Sequence, residues 1–367
     1  MDWRSVIPQG LRDTETELYV NAEESRPWIV DCALGSSPVG PPPIVQDRFG
    51  PFFGDDLWRY TAPADRLSEP FCQYWGNLVH PHELAFANGT DTILVILAKA
   101  LGAPGGLVLG LAPQFTDAPV HFQLSGCEFR PIFLHAPSYA IEIKDILAGL
   151  DRDVSLVYLD RPHNPTGQLM PLNELDQVIQ AAEEMGALVI VDEAYGDFVP
   201  EDQSCLHLNR SNLVCLRTFS KGWGMAGIRG GYAVFRSPLA RELYLRVSPP
   251  FTVDALAFAA IPMALKDAPR FLPPMRREVA SIKSRVSRII AETSGYSIAH
   301  THPSVAIMMV TALDKTVNLY DRLMDHGIKT APGSGFLGIG DNSVRLRIPP
   351  ESDLDDFTRC WTSMVKS

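Results

Sequence analysis

The chain has 367 residues, 46% hydrophobic and 20% charged, which is enough for one large core and a smaller second unit. A formal charge of −11, with no basic run against it, argues against a nucleic-acid surface. No apolar run approaches the about 20 residues that span a bilayer, and Met1-Asp2-Trp3-Arg4-Ser5 opens no secretory leader, so a soluble cytoplasmic protein with no membrane partner is expected.

In chain order, Leu34-Gly35-Ser36-Ser37-Pro38 and Pro41-Pro42-Pro43 read as loops, and Arg59-Tyr60 precedes a helical pattern running toward Tyr74-Trp75. Ala87-Asn88-Gly89-Thr90-Asp91 leads into Ile93, Leu94, Leu97, Ala98 and Leu101 at helical spacing. That puts Gly89, Thr90 and Asp91 at a helix N-terminus, as an anion site or an ordinary N-cap. Strands are expected at 106–112, 155–160, 187–192, 213–219 and 231–235. Between two of them Leu175, Val178, Ile179 and Ala182 share a helical face opposite Glu174, Asp176, Glu183 and Glu184. Such alternation implies an α/β sandwich. After Pro249-Pro250 come a helical pattern at Val279, Ile282, Val286, Ile289 and Ile290, a strand at 305–311, and a helix at 316–326 that Gly327 ends. The alternating Val344-Arg345-Leu346-Arg347-Ile348 strand and a last helix at 353–366 complete a smaller α+β unit.

Three segments carry chemistry. Pro162-His163-Asn164-Pro165-Thr166-Gly167 is a turn at the carboxyl end of the 155–160 strand. The 187–192 strand ends in Asp192 and continues Glu193-Ala194-Tyr195; a carboxylate buried there is costly unless it meets a cation. Thr218-Phe219-Ser220-Lys221 sets a lysine among hydroxyls, with Arg229 eight residues on. Such a lysine can form a Schiff base with an aldehyde, while the hydroxyls and the guanidinium hold a phosphate. Cysteines 32, 72, 127, 205, 215 and 360 form no CxxC pair and read as reduced thiols. His80-Pro81-His82 and His300-Thr301-His302 lack a nearby third ligand, so no metal is expected.

In this order and spacing the motifs resemble, over nearly the whole chain, the fold-type I pyridoxal phosphate (PLP)-dependent aminotransferases of class I/II, in particular the histidinol-phosphate aminotransferase group. The resemblance implies a large domain with a mostly parallel central sheet sandwiched by helices (39–245), a small α+β domain (246–367), and an N-terminal segment (1–38) packed on the latter. It implies pyridoxal 5'-phosphate as cofactor, with Lys221 holding it as a Schiff base and then acting as the base that moves the substrate proton. Asp192 would meet the ring nitrogen, Asn164 and Tyr195 the phenolic oxygen, and Phe115 of Pro113-Gln114-Phe115 would stack on the ring. Gly89, Thr90, Asp91, Thr218, Ser220 and Arg229 would hold the phosphate, with Tyr60 reaching that of a neighbouring subunit in a homodimer with shared sites. Arg345 would grip the substrate's carboxylate or phosphate, with Gly35 at the entrance and His163, where the group more often has Asn, beside the substrate. Arg347 has no role to inherit and reads as a surface salt bridge.

The implied reaction transfers an amino group between an amino acid, or a histidinol-phosphate-like amine, and a 2-oxo acid. The same pocket also suits an eliminase or cyclase resembling capreomycidine synthase, a threonine-phosphate decarboxylase, or a non-enzymatic PLP-binding regulatory domain.

Overall fold

The computed structural model describes residues 26–33, 37–40, 42–44, 64–249 and 251–366. In chain order its strands are β1 (Val30–Asp31), β2 (Leu84–Ala87), β3 (Leu107–Ala112), β4 (Glu128–Phe133), β5 (Val154–Asp160), β6 (Leu188–Asp192), β7 (Leu213–Thr218) and β8 (Gly231–Phe235). Then follow β9 (Tyr296–Ile298), β10 (Ile307–Ala312), β11 (Ile328–Lys329), β12 (Ala331–Pro332) and β13 (Ser343–Arg347).

Seven strands form one sheet, in the order β2-β8-β7-β6-β5-β3-β4. β7, β6, β5, β3 and β4 are parallel, and β8 runs against both its neighbours. Leu156 and Tyr158 of β5 pack with Ile190, Val214 and Leu216 against the helix Thr90–Leu101 on one face. Val157 and Leu159 join Val189, Val191 and Cys215 against the helix Leu172–Met185 on the other. Burial on both faces is why these strands are continuous apolar runs, and why each expected one forms within a residue of its expected ends. β2 and β4 carry no such run: β2 has only four residues, and β4 is a half-exposed edge strand that tolerates Pro131.

A second, antiparallel sheet has the order β12-β13-β10-β9, and β1 pairs in parallel with β11. The helical pattern at 279–290 is the end of a 37-residue helix, Ala255–Ala291, that runs through Pro262, Pro269, Pro273 and Pro274. A proline inside a helix ordinarily costs about 3 kcal/mol. Here burial of Ala260, Ile261, Ala264, Leu265, Leu272 and Met275 offsets it, and Asp254 caps the first turn by accepting the Ala257 N–H at 2.8 Å. The helix expected at 316–326 is the shorter Leu319–Asp325, because Asp314 draws the Thr316 N–H into a turn at 2.9 Å and Asn318 becomes the cap.

Lys283 fastens the long helix to the second sheet. Only 2% exposed, it donates to Thr301 Oγ1 at 2.6 Å and to the carbonyls of His302, Val305 and Ile307 at 2.7–2.9 Å. The loop it gathers abuts the turn after β5, since the His302 N–H donates to the Gly167 carbonyl at 2.8 Å. Lys283→Met, which keeps the bulk and removes the donor, is expected to lower stability by about 3 kcal/mol, read as a shift in the chemical-denaturation midpoint.

Candidate active site

Because β2, β3, β5, β6 and β7 point the same way, their carboxyl ends share one edge of the sheet, and a cavity of about 360 Å³ opens there. Thr90 and Asp91 line it beyond β2, Phe115 and Asp117 beyond β3, and Asp160 and Asn164 at β5. Asp192, Ala194 and Tyr195 line it at β6, and Thr218, Ser220, Lys221, Ala226 and Arg229 at β7.

Asp192 is the last residue of β6 and is buried. Its Oδ2 accepts the Tyr158 hydroxyl and its Oδ1 the Ala194 N–H, each at 2.9 Å. Burial pushes its carboxyl up to about 7, with the Tyr158 hydrogen bond opposing and the charge of Asp160 adding. Burial and the same two carboxylates drive the Tyr158 phenol well above its ordinary range, so it remains the donor. Lys221 lies above this floor, its Nζ 5.9 Å from the Tyr195 ring centroid. The start of its loop is fixed where the Thr218 hydroxyl donates to the Gly230 carbonyl at 3.0 Å and lies 3.0 Å from Ser220 Oγ.

Opposite, the helix Thr90–Leu101 begins at the cavity, which its first two residues line. Arg229 adopts the left-handed conformation (φ 52°) and donates to the Ala226 and Asn88 carbonyls at 3.1 and 3.4 Å. Glycine is required beside it. Gly89 has φ 90°, and a Cβ there would lie 2.7 Å from Arg229 Nη2. The Asp91 carboxylate is turned to His121, with Oδ1 3.0 Å from Nε2.

Arg345 comes from the second sheet and is 1% exposed. Its guanidinium donates to Asn164 Oδ1 at 3.1 Å and to the Ala33 carbonyl at 2.6 Å, and stands 5.5 Å from the Phe336 ring centroid. Among the described residues Arg347 forms no surface salt bridge of the kind expected. It donates to the Asp31 main-chain carbonyl, and the two arginines thereby bind the 30–33 segment to β13.

His163 departs from the substrate-facing position expected of it. It is 1% exposed, with Nδ1 2.7 Å from Thr166 Oγ1 and Nε2 2.8 Å from the Pro113 carbonyl, because the buried turn needs both ring nitrogens. Burial lowers its pKa to about 4. Tyr60 and Gly35 lie outside the described residues. His302, from one of the two histidine pairs, is a loop residue with Nδ1 2.9 Å from Ser304 Oγ.

Asp160 was missed at the sequence level, although the signal that singled out Asp192, an apolar strand ending in a carboxylate, is present there too. The two are register partners on β5 and β6. Asp160 Oδ2 accepts the N–H groups of Phe115 and Asn164 at 3.1 and 2.8 Å, and burial pushes its carboxyl up to about 7 against those bonds. Among the described residues Glu193, Cys205 and Cys215 form one cluster with metal-ligating atoms. The Glu193 carboxylate is already bonded to Ser204, the Cys205 N–H and Arg217, at 2.6–2.9 Å.

The profile of the family described as aminotransferase class I and II matches residues 59–359. A histidinol-phosphate aminotransferase from Nitratidesulfovibrio vulgaris is 30% identical over 83% of this chain and 80% of its own. Histidinol-phosphate aminotransferase 2 of Cupriavidus pinatubonensis is 29% identical over 99% and 98%. Among solved structures, the Sinorhizobium meliloti histidinol-phosphate aminotransferase in complex with pyridoxal-5'-phosphate superposes with a TM-score of 0.82, at 24% identity over 93% of this chain and 92% of that one. Aspartate aminotransferase from Thermus thermophilus with maleate superposes at 0.79, with 18% identity over 92% of each chain. These two likenesses establish the fold. Among the described residues no helix is long and apolar enough to cross a membrane.

The elevated pKa of Asp192 has a consequence for the cofactor-free protein. Between about pH 4 and 7 the folded chain keeps a proton that the unfolded chain releases, so this group's contribution to stability falls as pH rises and stays lost above pH 7. Asp192→Asn, with the Tyr158 hydroxyl free to turn and accept, is expected to raise the melting temperature at pH 8 and leave it unchanged near pH 4. The difference amounts to a few kcal/mol, at about 1.4 kcal/mol per pKa unit, and is read by calorimetry at the two pH values.

Proposed function

The chain belongs to the class I and II aminotransferases and uses pyridoxal phosphate, and from that premise we propose that the cavity at the carboxyl edge of the main sheet is its transamination site. The observation that carries this is the convergence of Asn164, Asp192, Lys221 and Arg229, from three separate strand ends, on one cavity. The residues suit the cofactor. A carboxyl held near 7 by burial is a group that a cation returns to its charged form, and the protonated ring nitrogen is such a cation. Helix-terminal amides with Arg229 and Ser220 suit a phosphate dianion.

When bound, the cofactor supplies an aldehyde for the amine and a protonated ring that accepts the electrons left when the α-proton departs. Asp192 keeps the proton on the ring nitrogen, and Tyr158 and the Ala194 N–H keep Asp192 in place. Asn164 and Tyr195 would bind the phenolic oxygen, and Phe115 would cover the ring. Lys221, which lines the same cavity, would be the base that takes the proton from the substrate α-carbon. Arg345 would offer its guanidinium to the substrate carboxylate or phosphate, and its bond to Asn164 would tie substrate recognition to the cofactor oxygen.

The proposed donor is an amino acid or a histidinol-phosphate-like amine and the acceptor a 2-oxo acid; the names of the similar proteins support the second donor. On this reading residues 39–245 form the large cofactor-binding domain, 246–367 the small domain, and 1–38 a segment packed on the latter, a division that the β1–β11 pairing supports. A homodimer completed by Tyr60 and a cytoplasmic setting belong to the same proposal. The thiols of Cys205 and Cys215, free though within 4.8 Å of each other, suit a reducing compartment.

The test is incubation of the PLP-loaded protein with single amino acids and with histidinol phosphate. A donor that changes the cofactor's absorbance and yields its oxo product, with activity restored by a 2-oxo acid, supports transamination. Ammonia release that needs no acceptor replaces it with elimination. Lys221→Ala should bind the cofactor reversibly and lose about 10³-fold or more in turnover. Arg345→Lys should raise the donor KM about tenfold or more through loss of the bidentate fork.

A further inference from the structure

Two hydrogen bonds stitch the turn after β3 to the turn after β5, and a third closes the latter onto the end of its own strand. Asp160 Oδ2 accepts the Phe115 N–H at 3.1 Å and the Asn164 N–H at 2.8 Å. His163 Nε2 lies 2.8 Å from the Pro113 carbonyl. A carbonyl oxygen only accepts, so Nε2 carries the proton, and Nδ1 of the neutral ring accepts from the Thr166 hydroxyl at 2.7 Å. One carboxylate oxygen therefore fixes the spacing of the residue that covers the cofactor ring and the residue that binds its phenolic oxygen. Asp160 itself lines the cavity and is buried, and its Oδ1, standing 4.0 Å from His163 Nε2, has no hydrogen-bond partner among the described residues.

We propose that Asp160, backed by His163, is a positioning residue for the cofactor, setting Phe115 and Asn164 as one unit so that the slot between them has its working width before the cofactor enters. The inference rests on the reading that this cavity takes pyridoxal phosphate. Preorganisation of this kind acts on affinity by removing the cost of ordering two loops at the moment of binding. The acceptor oxygen carries the role. Burial makes the charge expensive here and pushes the carboxyl up to about 7, whereas an amide offers the same oxygen without it.

Cofactor-free wild type, Asp160→Ala and Asp160→Asn are titrated with pyridoxal phosphate, and the absorbance and induced circular dichroism of the bound cofactor are recorded with the melting temperature. Asp160→Ala is expected to raise the cofactor dissociation constant about tenfold or more and to lose about half of the induced dichroism or more, while Asp160→Asn stays within about threefold of wild type. A wild type that binds no cofactor overturns the cofactor reading itself. Wild-type binding with Asp160→Ala unimpaired, or with both variants equally impaired, spares that reading and overturns the positioning role. A lowered melting temperature with unchanged cofactor affinity and dichroism also overturns it, as a purely structural effect. If Asp160→Ala does not fold, Asp160→Asn decides alone: affinity within about threefold supports the role of the acceptor, and a loss of about tenfold overturns it.

Discussion

Parallel strands bring their carboxyl ends to one edge, and this chain ends two adjacent strands there in buried carboxyl groups, Asp160 and Asp192. Desolvation is the dominant force on both, and each is held near 7 in spite of hydrogen bonds that favour its charged form. Lys221 acts on Asp192 only as the weakest of the influences lowering its pKa. The fold thus keeps two carboxyl groups whose charged form burial disfavours and a cation brought from outside would restore. Lys221, Tyr195 and Phe115 line the cavity around that floor.

What keeps the edge in register lies one residue away from the chemistry. Glu193 follows Asp192, Arg217 precedes Thr218, and the two side chains meet at 2.9 Å in the interior. Arg217 also reaches Asp197 at 2.9 Å and lies over the Trp75 ring at 4.8 Å. A buried ion pair of this kind adds little net stability over an apolar substitute, but it tolerates few alternative arrangements. It locks β6 against β7 at the level where Asp192 and Lys221 must face one another. Across the cavity the link is longer in sequence: Arg345 of β13 joins Asn164 to Ala33, so three distant segments share one guanidinium. Lys283 does the same for the long helix and the loop against Gly167.

The parts that were legible in sequence are those whose cause is local. The apolar runs of β5, β6 and β7 are continuous because both faces are covered, and the polar residues that end them had to serve either a turn or a ligand. The Thr218-to-Arg229 spacing, the Asn164 turn and Gly89 before a helix are likewise short-range patterns with a chemical reason. The prolines in Ala255–Ala291 concealed most of that helix, because propensity argues against it and only the packed core favours it. β4 was concealed by being an edge, where alternation weakens and Pro131 is harmless.

The sequence by itself determined the strand ends, the lysine, the hydroxyl and guanidinium neighbours that line the cavity with it and the type of cofactor they suit, because each follows from residues within a dozen positions of one another. The tertiary structure alone decided the direction in which the polar side chains turned. His163 went into the scaffold because a buried imidazole must satisfy both nitrogens, and Arg347 took a main-chain carbonyl because β1 lies beside β13. Asp160 became the joint between two cavity-lining turns because β3 and β5 are neighbours in space. These are choices among hydrogen-bond partners far apart in the chain, and no local pattern encodes which of them burial will bring together.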